Sequence, residues 1–259
     1  MPVLCFACTT KKASTDEFRM VDLEQDYKLQ LADTSMFGDS IYSQVRVKML
    51  WPEALAGAKA DSLQRKIILT AFSDSVSATA DAAVKRYLET PVTYMEDDKP
   101  VAVDTVPPAG MNVRVLSKYL TVDTVYTDSS VLSFSIVAEG YEGGAHGSYS
   151  ATYLNYDRKA GKVLNVKDVV ADTTAVRDLI VKQLVADKGV KTPQEMVDNG
   201  YVFSVDGIYM AQQFYFTKSD VAFFYNPYEI GPWASGPITV KVPKKALTPY
   251  LTEEGKQLF

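Results

Sequence analysis

Apolar residues alternate with polar ones at two places near the start of the chain. Tyr27, Leu29 and Leu31 are separated by Lys28 and Gln30, and Val45, Val47 and Met49 are interleaved with Gln44, Arg46 and Lys48. Successive side chains on a strand point to opposite faces, so each segment predicts a half-buried strand. The period then changes. Leu63, Ile67, Ile68, Ala71 and Phe72 recur at helical spacing, as do Ala80, Val84, Tyr87 and Leu88. They predict one long helix, or two shorter ones broken near Ser73-Asp74-Ser75. Residues 91–110 contain Asp97-Asp98-Lys99-Pro100 and Pro107-Pro108-Ala109-Gly110, and read as a loop or a soft boundary.

Strand signals return over Val113 to Val125, at Leu132, Phe134 and Ile136, and at Tyr149, Ala151 and Tyr153. That spacing predicts an antiparallel meander. A turn at residues 157–162 leads into Val163-Leu164. Asp172 and Thr173 are suited to cap a helix carrying Val176, Leu179, Ile180 and Leu184. Thr192-Pro193-Gln194-Glu195 has the form of a capping box with proline at the first helical position, and Gly200 ends that helix. Gln213–Phe216 and Val221–Tyr225 flank Thr217-Lys218-Ser219-Asp220 as a hairpin, and Ile238–Val242 reads as a last strand stopped by Pro243. The class is α+β: antiparallel sheets with packed helices, in one large lobe or two closely associated ones. The expected division is 1–16 as leader remnant and tether, 17–160 as an N-terminal lobe, and 161–259 as a C-terminal lobe.

Composition narrows the function classes. At 259 residues, with 47% hydrophobic and 23% charged, the chain has ordinary globular values and length enough for a real core. A net charge of −5 without a Lys/Arg block argues against nucleic acid, which demands a basic face. There is no apolar run long enough to predict a membrane-spanning helix. Cys5 and Cys8 both fall in the first eight residues, so the folded body carries no thiol, as suits an extracytoplasmic protein. Read as a CxxC pair they lack a βαβ context and a second ligand pair. Leu4-Cys5-Phe6-Ala7-Cys8, followed by polar residues 9–16, is similar to a bacterial lipoprotein site with Cys8 as the lipidated residue. The expectation is an envelope protein that meets the membrane only through that anchor. The plainer reading is an unstructured N-terminus with incidental cysteines.

Two segments carry candidate chemistry. Phe224-Tyr225-Asn226-Pro227-Tyr228-Glu229-Ile230-Gly231-Pro232-Trp233-Ala234-Ser235-Gly236-Pro237 follows the hairpin and concentrates aromatics, prolines and glycines. Proline fixes φ and glycine opens the left-handed region, so the run predicts a rigid, shaped loop. Rigid aromatics lose little entropy on docking, and Glu229 adds an acceptor for a basic partner or a sugar hydroxyl. The same loop could instead fold back as a lid, with Tyr225, Tyr228 and Trp233 sealing the core. The stripe Phe214, Phe216, Phe223 and Tyr225 reads as core. Gly143-Gly144-Ala145-His146-Gly147 holds the single histidine of the chain. His146 is a candidate general base with Glu142, Asp157 or Glu229 as its partner. Ser148 lies two residues on but has no Gly-x-Ser-x-Gly elbow around it. The bland alternative is that His146 bonds backbone groups and holds the glycine turn. Zinc would need three further ligands from carboxylates alone, so neither metal nor cofactor is expected.

Gly-Gly-Ala-His-Gly, the Tyr-rich strand with Asn155-Tyr156-Asp157 and Gly161-Lys162, the capped helix and the Tyr-Asn-Pro-Tyr-Glu-Ile hairpin exit follow one another in an order with a family likeness. Over about residues 111–247 the sequence resembles the extracytoplasmic module of the RsiV family, anti-sigma factors that sense lysozyme. It also looks like the non-catalytic N-terminal module of PdaC-type peptidoglycan deacetylases; residues 17–110 match in general layout only. The deacetylase chemistry of that family sits on a separate domain with two metal-binding histidines, and this chain has one histidine. The anti-sigma role needs a transmembrane helix. What the resemblance implies is the extracytoplasmic module alone: a non-catalytic binding protein for a wall-active protein such as lysozyme, or for wall glycan. Its expected surface is His146, Tyr225, Pro227, Tyr228, Glu229, Pro232 and Trp233. The competing readings are a hydrolase on wall polymers using His146 with a carboxylate, and a structural subunit of an envelope complex.

Overall fold

The two alternating segments near the start pair with each other. In the computed structural model, which describes residues 15–32, 40–110 and 112–259, β1 (Glu17–Gln30) runs antiparallel to β2 (Ser40–Ala54) with Val21 opposite Met49 and Leu23 opposite Val47. The helical period becomes α1 (Asp61–Phe72) and α2 (Ala80–Leu88). The break between them is built by Asp74. Its carboxylate accepts the Ser77 hydroxyl and the N–H groups of Ser77 and Val76, which pulls its pKa down to about 2, while Ser73 ends α1 at φ 51°. Thr79 then caps α2 through the Ala82 N–H.

The stretch read as a loop or boundary contains a strand. β3 (Lys99–Val103) pairs with the outer edge of β1. Nearly all its side chains are exposed, so it has no buried face to impose alternation. The chain then returns as β4 (Val113–Thr127), which lies parallel to β2 from Ser40 opposite Val113 to Met49 opposite Val122. Among the described residues this is the one parallel pair in a sheet that is otherwise antiparallel as expected, and the crossover through α1, α2 and β3 brings the chain back in the same direction. β5 (Val131–Tyr141), β6 (Ser148–Asp157) and β7 (Lys162–Leu164) complete the predicted meander. The seven-stranded sheet runs β3-β1-β2-β4-β5-β6-β7. Leu63, Ile67, Ile68, Ala83 and Val84 of the helices cover one face, over Val47, Met49, Leu120, Val122, Phe134 and Leu154.

After α3 (Val166–Val169), the predicted caps start α4 (Thr173–Asp187) and α5 (Pro193–Asp198). Asp172 accepts from the Ala175 N–H at 2.9 Å and Thr192 from the Glu195 N–H at 3.3 Å. The capping box is incomplete, since the Glu195 carboxylate takes the N–H of Lys191 instead of that of Thr192. The hairpin is β8 (Gln213–Phe216) and β9 (Asp220–Tyr225), joined by β10 (Ile238–Pro243) in a sheet ordered β10-β9-β8. α6 (Lys244–Leu247) and α7 (Glu253–Lys256) follow. Val176, Ile180 and Leu184 pack with Phe214, Phe216, Phe223, Tyr225 and Val240 in a second apolar core.

A buried polar clasp joins the two sheets. Ser133 Oγ donates to Asn155 Oδ1 at 2.7 Å, Asn155 Nδ2 donates to the Phe214 carbonyl at 2.7 Å, and the Tyr153 and Tyr215 rings stack at 4.6 Å. Asp16, read as the end of the tether, belongs to the fold. Arg158 reaches it with two bonds of 2.9 and 2.6 Å and the Ala56 N–H adds a third. Cys5, Cys8 and residues 9–14 of the expected tether lie outside the described residues. Among the described residues no helix is long and apolar enough to cross a membrane.

Candidate functional site

The segment after β9 folds as a proline-set turn. Pro227 occupies its second position, the Glu229 N–H closes it on the Asn226 carbonyl at 3.1 Å, and Tyr228 has φ 68°. A positive φ at the third position is the type II pattern, where glycine or asparagine is usual. A side chain held in that region costs about 1–2 kcal/mol. Two anchors hold the turn in place. Asn226 Oδ1 accepts the Ala151 N–H at 2.6 Å, and its Nδ2 donates to the Ala151 carbonyl at 3.1 Å, so the side-chain amide occupies the outer edge of β6. Glu229 Oε2 accepts the Asn226 N–H at 3.1 Å.

On this turn three rings form a ledge. His146 stacks on Trp233 at 4.3 Å with 14° between planes, and Tyr228 lies 5.9 Å from Trp233. The Tyr228 hydroxyl meets His146 Nε2 at 3.3 Å, and His146 Nδ1 meets the Gly147 carbonyl at 2.7 Å. The carbonyl can only accept, so Nδ1 donates to it, and in the neutral ring Nε2 is left to accept from the tyrosine. Both ring nitrogens are therefore engaged, neither by a carboxylate. Gly143, at φ 88°, seats the histidine turn against Tyr94, where a Cβ would run into the phenol ring.

The expected surface residues separate accordingly. His146, Tyr228 and Trp233 come together, with Tyr228 56% exposed at the tip, and Pro227 lines the recesses beside them. Pro232, half-buried, starts the short 3-10 turn that carries Trp233. Glu229 is exposed but faces the turn and Tyr209, whose phenol is pushed up to about 12 by burial and then by the Glu229 charge. Tyr225 is a correction: it is fully buried in the second core and donates its hydroxyl to the Tyr209 carbonyl at 2.6 Å. Both faces of β9 are covered, so Tyr225 has no side that reaches solvent. Among the described residues no three His, Cys, Asp or Glu side chains are grouped to hold a metal.

Other residues at the site escaped the sequence reading. Cross-strand register sets Arg46, Tyr119, Glu139 and Tyr149 in one row on the sheet face opposite the helices. Tyr119, Glu139 and Tyr149 of this row, together with Ser117, Gly147, Ser148, Pro227, Trp233 and Pro237, wall a groove of about 600 Å³. A second recess of about 520 Å³ lies across Trp233, between Glu142, His146 and Tyr228. Burial, and then the Glu139 charge, raises the Tyr149 phenol above its usual range. The signal was available in the alternation, but the row appears only once the strands are paired.

The C-terminal half of this arrangement has known counterparts. Residues 166–245 match DUF3298, described as a protein of unknown function. The DUF3298 match runs from α3 through β10 and includes the Asn226–Glu229 turn and Trp233, while His146 and Tyr149 lie before it. The fold as a whole is similar to the crystal structure of a DUF3298 family member from Bacteroides fragilis, with a TM-score of 0.75 at 23% identity over 94% of this chain and 96% of that one. It is also similar to a DUF3298 family protein from Pseudomonas aeruginosa, with a TM-score of 0.59 at 15% identity over 93% and 98% of the two chains. At these identities the likeness is one of fold. No curated protein matches the chain.

Proposed function

We propose that this is a non-catalytic binding protein of the bacterial cell envelope, lipid-anchored through Cys8, whose ledge of His146, Tyr228 and Trp233 recognises a wall-active protein such as lysozyme, or the wall glycan. One observation carries the reading: a tyrosine is held at the strained position of a proline turn and presented to solvent. Glycine there would remove the strain, so the exposed ring has a use that outweighs it. Aromatic rings on a rigid support are typical centres of recognition. The resemblance to lysozyme-sensing modules supplies the candidate partners. A hydrolase built on His146 has less support, because the ring is stacked under Trp233 and its nitrogens are spent on Gly147 and Tyr228.

The test is affinity beside stability. Tyr228→Ala is expected to weaken binding to lysozyme or to a solubilised wall fragment by about 2 kcal/mol or more, roughly thirtyfold, with the melting temperature unchanged. Tyr228→Gly should bind as poorly while melting at the same temperature or higher, since it relieves the positive φ. Wild-type protein that binds neither class of partner would overturn the proposal.

A further inference from the structure

We propose that the outer edge of β6 at Tyr149 binds the acetamido group of an N-acetylated amino sugar. This deepens the reading of the aromatic face as a binding surface and rests on it. Along β6 the backbone groups alternate between the two edges. Arg158 N–H bonds to the Ser130 carbonyl, on the β5 side, so the odd-numbered residues before it direct their N–H and C=O outward. At Asn155 and Asp157 that outer edge is paired by β7. Beyond the end of β7, side-chain amides take over. Gln213 Oε1 accepts the Tyr153 N–H at 2.8 Å, and the Asn226 amide bonds both the N–H and the carbonyl of Ala151.

The next outward rung is Tyr149, and among the described residues no protein group fills it. Tyr149 is one of the residues that wall the groove, with Pro227 and Trp233. On one side both groups of Ala151 are taken by Asn226, and on the other the Gly147 carbonyl is engaged by His146 Nδ1. An extended peptide adding to the sheet would need several consecutive rungs. With Ala151 closed and the Gly147 carbonyl engaged, the Tyr149 rung admits one amide, and Asn226 already shows on Ala151 how a lone amide pairs there.

The walls of the groove select what carries that amide. A pyranose has apolar C–H faces and a rim of hydroxyls. Tyr119, Tyr149 and Trp233 offer ring surface, and Glu139, Ser117 and Ser148 offer hydrogen-bonding groups around it. The volume of about 600 Å³ lies within the ~300–1,000 Å³ common for small-ligand sites.

The experiment uses the full chain, labelled with 15N, and three probes: the tetrasaccharide of N-acetylglucosamine, the corresponding glucosamine tetrasaccharide, and N-acetylalanine methylamide. The acetylated sugar is expected to shift the Tyr149 amide signal, and to bind at least tenfold more tightly than the glucosamine form. The contrast is stringent, because a net charge of −5 favours the cationic sugar. Glu139→Gln should weaken the acetylated sugar severalfold. Equal binding of the two sugars, shifts confined to other residues, or a Tyr149 shift with the peptide amide alone would each overturn the proposal. The two readings fail separately: a Tyr228-dependent partner without sugar binding keeps the ledge and removes the sugar, and sugar binding without such a partner does the reverse.

Discussion

Tyr225→Ala is expected to lower the unfolding free energy by about 3–5 kcal/mol, the range for truncating a buried aromatic. The ring is fully buried, meets Tyr209 edge-on at 5.5 Å, and closes the core at the point where β9 passes into the proline turn. Its hydroxyl donates to the Tyr209 carbonyl, so truncation also strands a part-buried acceptor. Burial raises the phenol's pKa, which keeps it protonated and able to donate across the whole working pH range. Tyr225→Phe isolates that bond and should cost about 1 kcal/mol. Three residues further on, Tyr228→Ala should cost almost nothing in stability. Urea unfolding of the three variants gives the answer: a Tyr225→Ala loss below about 1 kcal/mol would place the ring outside the cooperative core.

The second large effect is expected at the other end of the chain. Asp16→Ala should cost about 3 kcal/mol, the low end for breaking a buried ion pair by removing one partner. The Arg158 side chain is 8% exposed and that of Asp16 19%, so the guanidinium left behind is poorly hydrated. Thr127 Oγ1 still takes one of its N–H groups, which keeps the loss from being larger. The hydrogen bond from Arg158 holds the Asp16 carboxyl below the usual range. For a lowered carboxyl the stabilisation is fully present above its unfolded value near 4 and is lost as pH falls through the folded value. Wild-type stability should therefore decline below about pH 4 more steeply than that of Asp16→Ala. Parallel acid limbs in the two proteins would contradict this.

Much of the fold is legible in the sequence where one face is buried and the other is wet. The strands at Tyr27–Leu29 and Val45–Met49 and the helix carrying Val176, Ile180 and Leu184 are of that kind. The caps at Asp172 and Thr192 are legible too, because a short oxygen-bearing side chain beside free N–H groups has one geometry. β3 is not, since an exposed edge strand imposes no pattern on its residues. Tyr225 is ambiguous for the opposite reason: it ends a stripe that reads as core and opens the aromatic loop, and with both faces of β9 covered alternation does not separate the two. Strand partners are a further step removed. Alternation says that Tyr119, Glu139 and Tyr149 each face one way, but only register puts them in one row with a shared groove.

The parallel pairing of β2 with β4 also dictates a timetable. β2 ends at Ala54 and its neighbour begins at Val113, so at ~5–20 residues per second a ribosome takes about 3–12 s to supply the missing strand. α1 and α2 emerge in that interval and can shelter Val47 and Met49, which are fully buried in the finished molecule. They cannot supply the hydrogen bonds along the β2 edge, and an unpaired edge invites another chain. A nascent chain arrested at residue 110 should therefore sediment as oligomers, and one arrested beyond β4 as monomer. The helices guard the greasy face during synthesis, and the edge waits for Val113.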